Sequence, residues 1–457
     1  MRQPSCNASY RKPLISLPAL DGIVPTRRDW PWMVGIGITV VTLLSLPILT
    51  DSVSSFGDAR EWFASLSAHG LWSLLGACAL AYFAFIAFHA VRYKPVPVTN
   101  DDEDLPTVTV IVPAYNEGGM VRNALLSSVE SNYPEHKLEV IAVDDGSLDD
   151  TWDHIERVAD AYPARITTVK LLENGGKREA LRAGIERAQG DVIVTVDSDS
   201  RLDPGALRAI VAPFADERVA AVAGKVLVLN RYQSLLTRLL AARFFITFDL
   251  VRGAQSRFGA VLCCPGALTA YRRTAVLSVL KEWATQTFMG SPCTIGEDRA
   301  LTSWLLRRGH RTVYQSSAIV RTLVPAAFQG VARMLIRWER GNVRESLAML
   351  PTLFTRWRTK DRWWPTFEII TDLLQYPAAY LALGLLVKHA VREPGYLLSI
   401  LPFVAGIALL QSLYCLRAER RSDFVYNIGY SLFAFIGLQW IVPYSCLTLR
   451  DGRWLTR

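Results

Sequence analysis

Long apolar blocks near both ends of the chain, with a stretch of ordinary mixed composition between them, constrain the fold more than any other feature. Residues 32–49 and 71–91 precede the middle, and residues 367–387, 396–416 and 424–447 follow it, which makes five candidate spans. Each approaches the ~20 apolar residues that carry a helix across a bilayer. The apolar fraction of 51% with 13 Trp in 457 residues agrees with membrane embedding. The first span lies behind a leader too long and polar for a cleaved signal peptide, so it reads as an anchor.

Charge sets the expected orientation. Arg2, Arg11, Lys12, Arg27 and Arg28 precede the first span, whereas Asp51, Asp58 and Glu61 fill the loop after it. Basic residues stay on the cytoplasmic side of short loops, so the leader and the middle of the chain are expected in the cytoplasm, against the inner membrane. Arg417, Arg420 and Arg421 hold a later loop on the same side, yet five crossings would strand Arg450, Arg453 and Arg457 outside. A re-entrant or interfacial last segment removes that conflict. The net charge of +8 sits largely beside spans, so lipid headgroups, and not nucleic acid, are the expected partner. Seven cysteines show no CxxC or Cys/His spacing, so no zinc site or disulfide framework is implied.

The middle alternates strand and helix. "TVTVIVPAY", "LEVIAVDDGS", "ITTVKLL" and "DVIVTVDSDS" read as strands, with "MVRNALLSSVESN", "TWDHIERVADAY" and "KREALRAGIERAQG" as the helices between them. That order predicts a doubly wound parallel α/β sheet. Residues 192–196 lack polar alternation, as a central strand covered on both faces does. Acids stand where strands stop: Asp144 and Asp145 after the second, Asp197 and Asp199 after the fourth. Open α/β sheets bind ligands at that edge. On an extended chain Asp197 and Asp199 would face one spot, and paired carboxylates need a positive partner, for which hard oxygen donors suit Mg2+ or Mn2+. The same acids also suit solvated turns and helix caps. Gly175, Gly176 and Lys177 open a helix and either offer N–H groups and an ammonium to a phosphate or simply close a turn.

Taken together, "IVPAYNE", "VDDGS", "GGKREAL", "VDSDS", "GEDRALTSWLLRRGHRTVY" and "IRWERGNVRE", in that order over residues 107–345, resemble the membrane-embedded family 2 glycosyltransferases, which include hyaluronan, chitin and cellulose synthases. "AQSRFGAVLCCPGALTAYRR" and "LTLRDGRWLTR" are most similar to the nodulation-type chitooligosaccharide synthases, and more loosely to hyaluronan synthases. The resemblance implies a GT-A (Rossmann-like) cytoplasmic domain that uses a UDP-sugar and Mg2+ or Mn2+. It implies that Tyr115 and Asp145 hold the uridine, that Lys177 lies near the nucleotide, and that Asp199 is the main metal contact with Asp197 beside it. It assigns the base that deprotonates the acceptor hydroxyl to Asp298, next to Glu297. These two acids equally suit a helix N-terminus, where they complement the dipole.

The family's Gln-x-x-Arg-Trp is here "MLIRW", with Met334 in place of the glutamine. Arg337 is expected on the diphosphate, and Trp338 at the nucleotide and as a platform for the acceptor sugar. Met334, near the acceptor, predicts short products. The same helix also reads as an amphipathic interfacial element, with Val331, Leu335 and Trp338 in the membrane surface and Arg333, Arg337 and Arg340 toward headgroups. Glu368, Asp372 and Gln375 either line a passage for a glycan or lie in the interface.

The expected division is a leader (1–30), two spans (31–92), a catalytic domain (100–325), interfacial helices (326–364), about three spans (366–448) and a tail (449–457). The expected activity is inverting, metal-dependent transfer of N-acetylglucosamine from UDP-N-acetylglucosamine to a β-linked oligo- or polysaccharide. A hyaluronan-type synthase with two UDP-sugars is the alternative, and a non-catalytic scaffold or export pore is the alternative of another class.

Overall fold

The computed structural model describes residues 71–353, 363–391, 401–419 and 424–452. The leader, the expected span at 32–49, part of the span at 396–416, residues 354–362 and residues 453–457 lie outside them.

Helix α1 (Leu71–Val91) leads into a sheet whose first half matches expectation. Strands β1 (Val108–Ala114), β2 (Leu138–Asp144), β3 (Ile166–Lys170) and β4 (Val192–Thr195) are parallel in the order β3-β2-β1-β4. Every residue of β1 and β4 is buried, as their unbroken β-branched runs require. Helices α2 (Val121–Val129), α3 (Thr151–Ala161) and α4 (Lys177–Arg187) are the crossovers. Gly184 lets α4 lie directly on the sheet: a Cβ there would stand 2.6 Å from Ile111 Cγ2.

The second half corrects the all-parallel expectation. β5 (Ser200–Leu202), β6 (Val219–Val228), β7 (Thr269–Arg272) and β10 (Arg311–Thr322) extend the sheet in the order β4-β7-β6-β10-β5, and β8 (Thr287–Phe288) pairs with β9 (Ser291–Pro292) apart from it. β7 runs antiparallel to both β4 and β6, β5 is antiparallel to β10, and β10 is parallel to β6. Helix α5 (Ala206–Val211) precedes β6; α6 (Leu235–Phe245), a π-helical turn (Ile246–Val251) and α7 (Arg252–Arg257) connect β6 to β7. An apolar run records how deeply a strand is buried but not its direction, which depends on where these helices return the chain.

Beyond α8 (Arg273–Leu277), α9 (Leu280–Ala284) and α10 (Glu297–Arg307) comes α11 (Phe328–Leu353), the element read as interfacial. Its apolar stripe instead enters the main core: Val331, Met334 and Leu335 are buried there with Tyr426, Tyr430 and Ile441. Arg340, expected at headgroups, is 1% exposed and pairs with Asp451 at 3.2 Å. An amphipathic helix buries its stripe on whatever apolar surface is offered, and here α14 (Phe424–Gly437) and α15 (Ile441–Leu447) offer it.

Between them in sequence lie α12 (Trp363–Ala390) and α13 (Leu401–Glu419). Among the described residues, two helical stretches are long and apolar enough to cross a membrane, Leu74–Val91 and Trp363–Lys388. α14 and α15 pass the same test only as a pair bent by 51°. The tail then returns to the sheet domain, where Thr294 Oγ1 donates to Gly452 O at 2.7 Å. Residue 452 therefore lies against the sheet domain, as the re-entrant or interfacial reading of the last segment requires.

Candidate active site

The loops after β1 and β2 are knitted together before any ligand arrives. Asn116, with φ 52°, receives a hydrogen bond at its Oδ1 from Leu148 N–H (2.9 Å) and donates its own N–H to Ser147 Oγ (3.0 Å). Glu117 and Gly118 N–H both donate to Thr151 Oγ1 at 2.8 Å. Asp144, fully buried, accepts from Ser147 Oγ, so it is a clamp within the turn. Asp145 instead accepts from Gly175 N–H at 2.9 Å, and burial pushes its carboxyl up to about 6. The register that pairs Ala114 with Asp144 sets the partly exposed Tyr115 next to Asp145.

Lys177 begins α4, and its Nζ bonds the Asp197 carboxylate and lies 3.1 Å from Glu297 Oε1. Gly266 closes this point from the other side. A Cβ there would stand 2.5 Å from Lys177 Nζ and 3.2 Å from Asp197 Oδ1, and the Gly266 N–H donates to Asp298 Oδ2 at 3.2 Å. Four residues predicted from widely separated motifs, Lys177, Asp197, Glu297 and Asp298, thus meet around one glycine.

β4 stops at Thr195, and Ser200 N–H closes a turn on Asp197 O at 3.0 Å. Asp197 and Asp199 are therefore not alternate residues of an extended strand, which corrects the geometric expectation. Asp199 accepts from Thr322 Oγ1 (3.1 Å) and Ser200 Oγ (3.3 Å). Burial, reinforced by the Asp197 charge, pushes it up to about 6. Among the described residues no group of three or more His, Cys, Asp or Glu could hold a metal alone. Two hard carboxylates nonetheless fit Mg2+ or Mn2+, which commonly takes one or two protein carboxylates and completes its shell with phosphate oxygens and water.

Glu297 and Asp298 are adjacent yet differ in protonation tendency. Burial opposes the charge of Glu297, but the Lys177 ammonium and then the Arg337 guanidinium hold it below the usual carboxylate range. Burial, then the neighbouring Glu297 charge, raises Asp298. Such a split separates a charged orienting carboxylate from one poised to exchange a proton.

The remaining candidates lie farther out. Trp338 is partly exposed; its ring centroid is 5.9 Å from that of Phe244, and the Arg243 guanidinium lies 6.0 Å above it. Met334 is 5% exposed within the apolar core, so the structure gives it a packing environment and not an open acceptor edge. Glu368 accepts from Gln255 Nε2 (3.0 Å), and Asp372 pairs with Arg299 (2.5 Å), so both acids face the sheet domain; Gln375 is exposed and donates to Asp372. Reading the sequence missed Gly266 and Thr322, because neither residue type carries a chemical signal without knowledge of what lies across from it.

A family model described as "Glycosyltransferase like family 2" matches residues 106–341. The chain belongs to glycosyltransferase family 2. This family 2 glycosyltransferase is 34% identical to an N-acetylglucosaminyltransferase of Neorhizobium galegae over 399 residues, 86% of this chain and 89% of the relative. It is also 34% identical to an N-acetylglucosaminyltransferase of Rhizobium sp. (strain N33), over 83% of this chain and 85% of that one. Its fold is GT-A-like. A mannosyltransferase of Pyrobaculum calidifontis, solved with GDP-Man and Mn2+, aligns with a TM-score of 0.55 at 24% identity, covering 80% of this chain and 99% of its own.

Proposed function

We propose that this glycosyltransferase moves N-acetylglucosamine from UDP-N-acetylglucosamine, with inversion, onto a β-linked oligo- or polysaccharide at the cytoplasmic face of the cell membrane. The match to family 2 over residues 106–341 carries the reaction class, and the meeting of Lys177, Asp197, Glu297 and Asp298 around Gly266 supports its placement there. The names of the relatives support the sugar.

In this reading Tyr115 and Asp145 hold the uridine, and Lys177 and Arg337 face the diphosphate. Asp197 and Asp199 would hold Mg2+ or Mn2+, which supplies positive charge against the leaving diphosphate. Asp298 takes the proton of the acceptor hydroxyl as that oxygen attacks the anomeric carbon, and its raised proton affinity suits that task. Glu297, kept charged, holds Lys177 in place. Trp338 offers an aromatic face to the acceptor. The catalytic domain occupies residues 100–325 and faces the cytoplasm; two spans, of which α1 is the second, cross the membrane before it, α12 and α13 cross after it, and the bent pair α14–α15 is re-entrant. The basic leader and the return of residues 448–452 to the domain support that topology.

The test is purified enzyme in lipid nanodiscs with Mn2+ and one UDP-sugar at a time, the products weighed by mass spectrometry. Products that grow in N-acetylhexosamine steps with UDP-N-acetylglucosamine alone are expected. Growth only with a second, uronic acid donor identifies a hyaluronan-type synthase, and absence of both transfer and donor hydrolysis removes the catalytic reading.

Burial changes the expectation for Met334. Met334→Gln places an amide in an apolar cluster, at a cost of about 1–3 kcal/mol. A lower melting temperature with unchanged product length is expected. A longer product distribution would return this position to the acceptor site.

A further inference from the structure

α12 carries a polar stripe on an otherwise apolar helix. Glu368, Asp372, Tyr376 and Tyr380 recur every fourth residue and so share one face. Each meets a different element: Glu368 accepts from Gln255 Nε2 (3.0 Å), Asp372 Oδ2 accepts from Arg299 Nη2 (2.5 Å), Tyr376 OH donates to Glu339 Oε2 (2.7 Å), and Tyr380 OH donates to Gln439 O (2.6 Å). A helix that needed only to cross a bilayer would gain nothing from this ladder, because every polar group costs free energy in hydrocarbon.

The Arg299–Asp372 rung lies nearest the chemistry. Arg299 directly follows Asp298, and its backbone N–H donates to Asp298 Oδ1 at 2.7 Å. Its guanidinium reaches the opposite way, to Asp372 and to Ser346 Oγ (2.9 Å) on α11, while Ser346 Oγ in turn donates to Asp372. The two charged side chains are only 12% and 17% exposed, so the pair is shielded from the screening that makes surface ion pairs weak. One residue thereby joins the carboxylate at the site to a membrane helix and to α11.

We propose that Asp372 is a positioning residue for transfer: it fixes Arg299, and through Arg299 the first turn of α10, so that Asp298 is aimed at the acceptor hydroxyl. The proposal rests on the reading of Asp298 as the base. Misplacing a reacting group by about 1 Å costs on the order of 10²-fold in rate, whereas nucleotide binding at Asp145 and the loops after β1 and β2 does not involve this rung.

The experiment compares Asp372→Asn, Asp372→Glu, Ser346→Ala and Asp298→Asn, each as full-length enzyme in lipid nanodiscs, by steady-state transfer and by calorimetric titration with UDP and Mn2+. Asp372→Asn is expected to lower kcat by about 10- to 100-fold with donor KM and UDP affinity nearly unchanged. Asp372→Glu, which keeps the charge, recovers most of that loss. Ser346→Ala removes a hydroxyl without exposing a charge and lowers kcat less, again at constant KM, so it reads the same rung if Asp372→Asn fails to fold. Wild-type kcat in Asp372→Asn, or in Ser346→Ala if Asp372→Asn does not fold, beside an inactive Asp298→Asn overturns the positioning role. Parallel loss of UDP binding, or no recovery by glutamate, overturns it as well. An active Asp298→Asn instead overturns the assignment of the base.

Discussion

Asp298→Asn is expected to lower sugar transfer by ~10²-fold or more while UDP binding stays near that of the wild type. Asn keeps the shape and one acceptor oxygen, enough for either Gly266 N–H or Arg299 N–H, but it cannot take a proton from an attacking hydroxyl. The nucleotide side is built from other residues, so single-turnover transfer and UDP titration should separate. The pH profile gives a second reading. Burial and the Glu297 charge raise Asp298, and a base works only when deprotonated. Transfer should therefore fall, as pH is lowered, at a pH above that of an ordinary carboxylate, and Asp298→Asn should remove that limb from its residual activity. Near-normal turnover in the variant would move the base elsewhere.

Removal of the divalent ion should abolish transfer, and Asp199→Asn should weaken Mn2+-dependent UDP binding. Asp199 has a raised proton affinity because it is buried and faces the Asp197 charge; a bound cation would relieve both. Asn offers one neutral oxygen where the carboxylate offered two charged ones, so UDP affinity in Mn2+ should fall while UDP affinity in chelator, already weak, stays the same. The comparison by calorimetry isolates the ion from the rest of the pocket. Full transfer in chelator would strip Asp197 and Asp199 of this role and leave Lys177 as the counter-charge to the diphosphate.

The sheet edge was the most legible part of the molecule. The run at 192–196 read as a buried strand, as residues 192–195 are, and of the two readings of the acids after it, ligand edge or solvated turn, the pairing of Asp197 with Lys177 favours the first. The converse failures share one cause: a pattern in one segment does not name its partner. The stripe of Val331 and Leu335 announced an amphipathic helix correctly, but the apolar surface it covers belongs to α14 and α15 and not to lipid. Asp372 read as lining a passage or lying in the interface because Arg299, its partner, lies 73 residues earlier. Gly266 was invisible because its value is the space it leaves for Lys177 and Asp197. The direction of β7 was unreadable for a similar reason, since burial is the same for a strand running either way.

The contact of residues 448–452 with the domain also bears on the order of biosynthesis. Arg340 is buried against Thr448 and Asp451, and Thr294, just ahead of the helix that carries Glu297 and Asp298, bonds Gly452. Those partners leave the ribosome long after the acids they support, and only once the apolar helices between them have been synthesised. The edge that carries Glu297 and Asp298 therefore gains these contacts last.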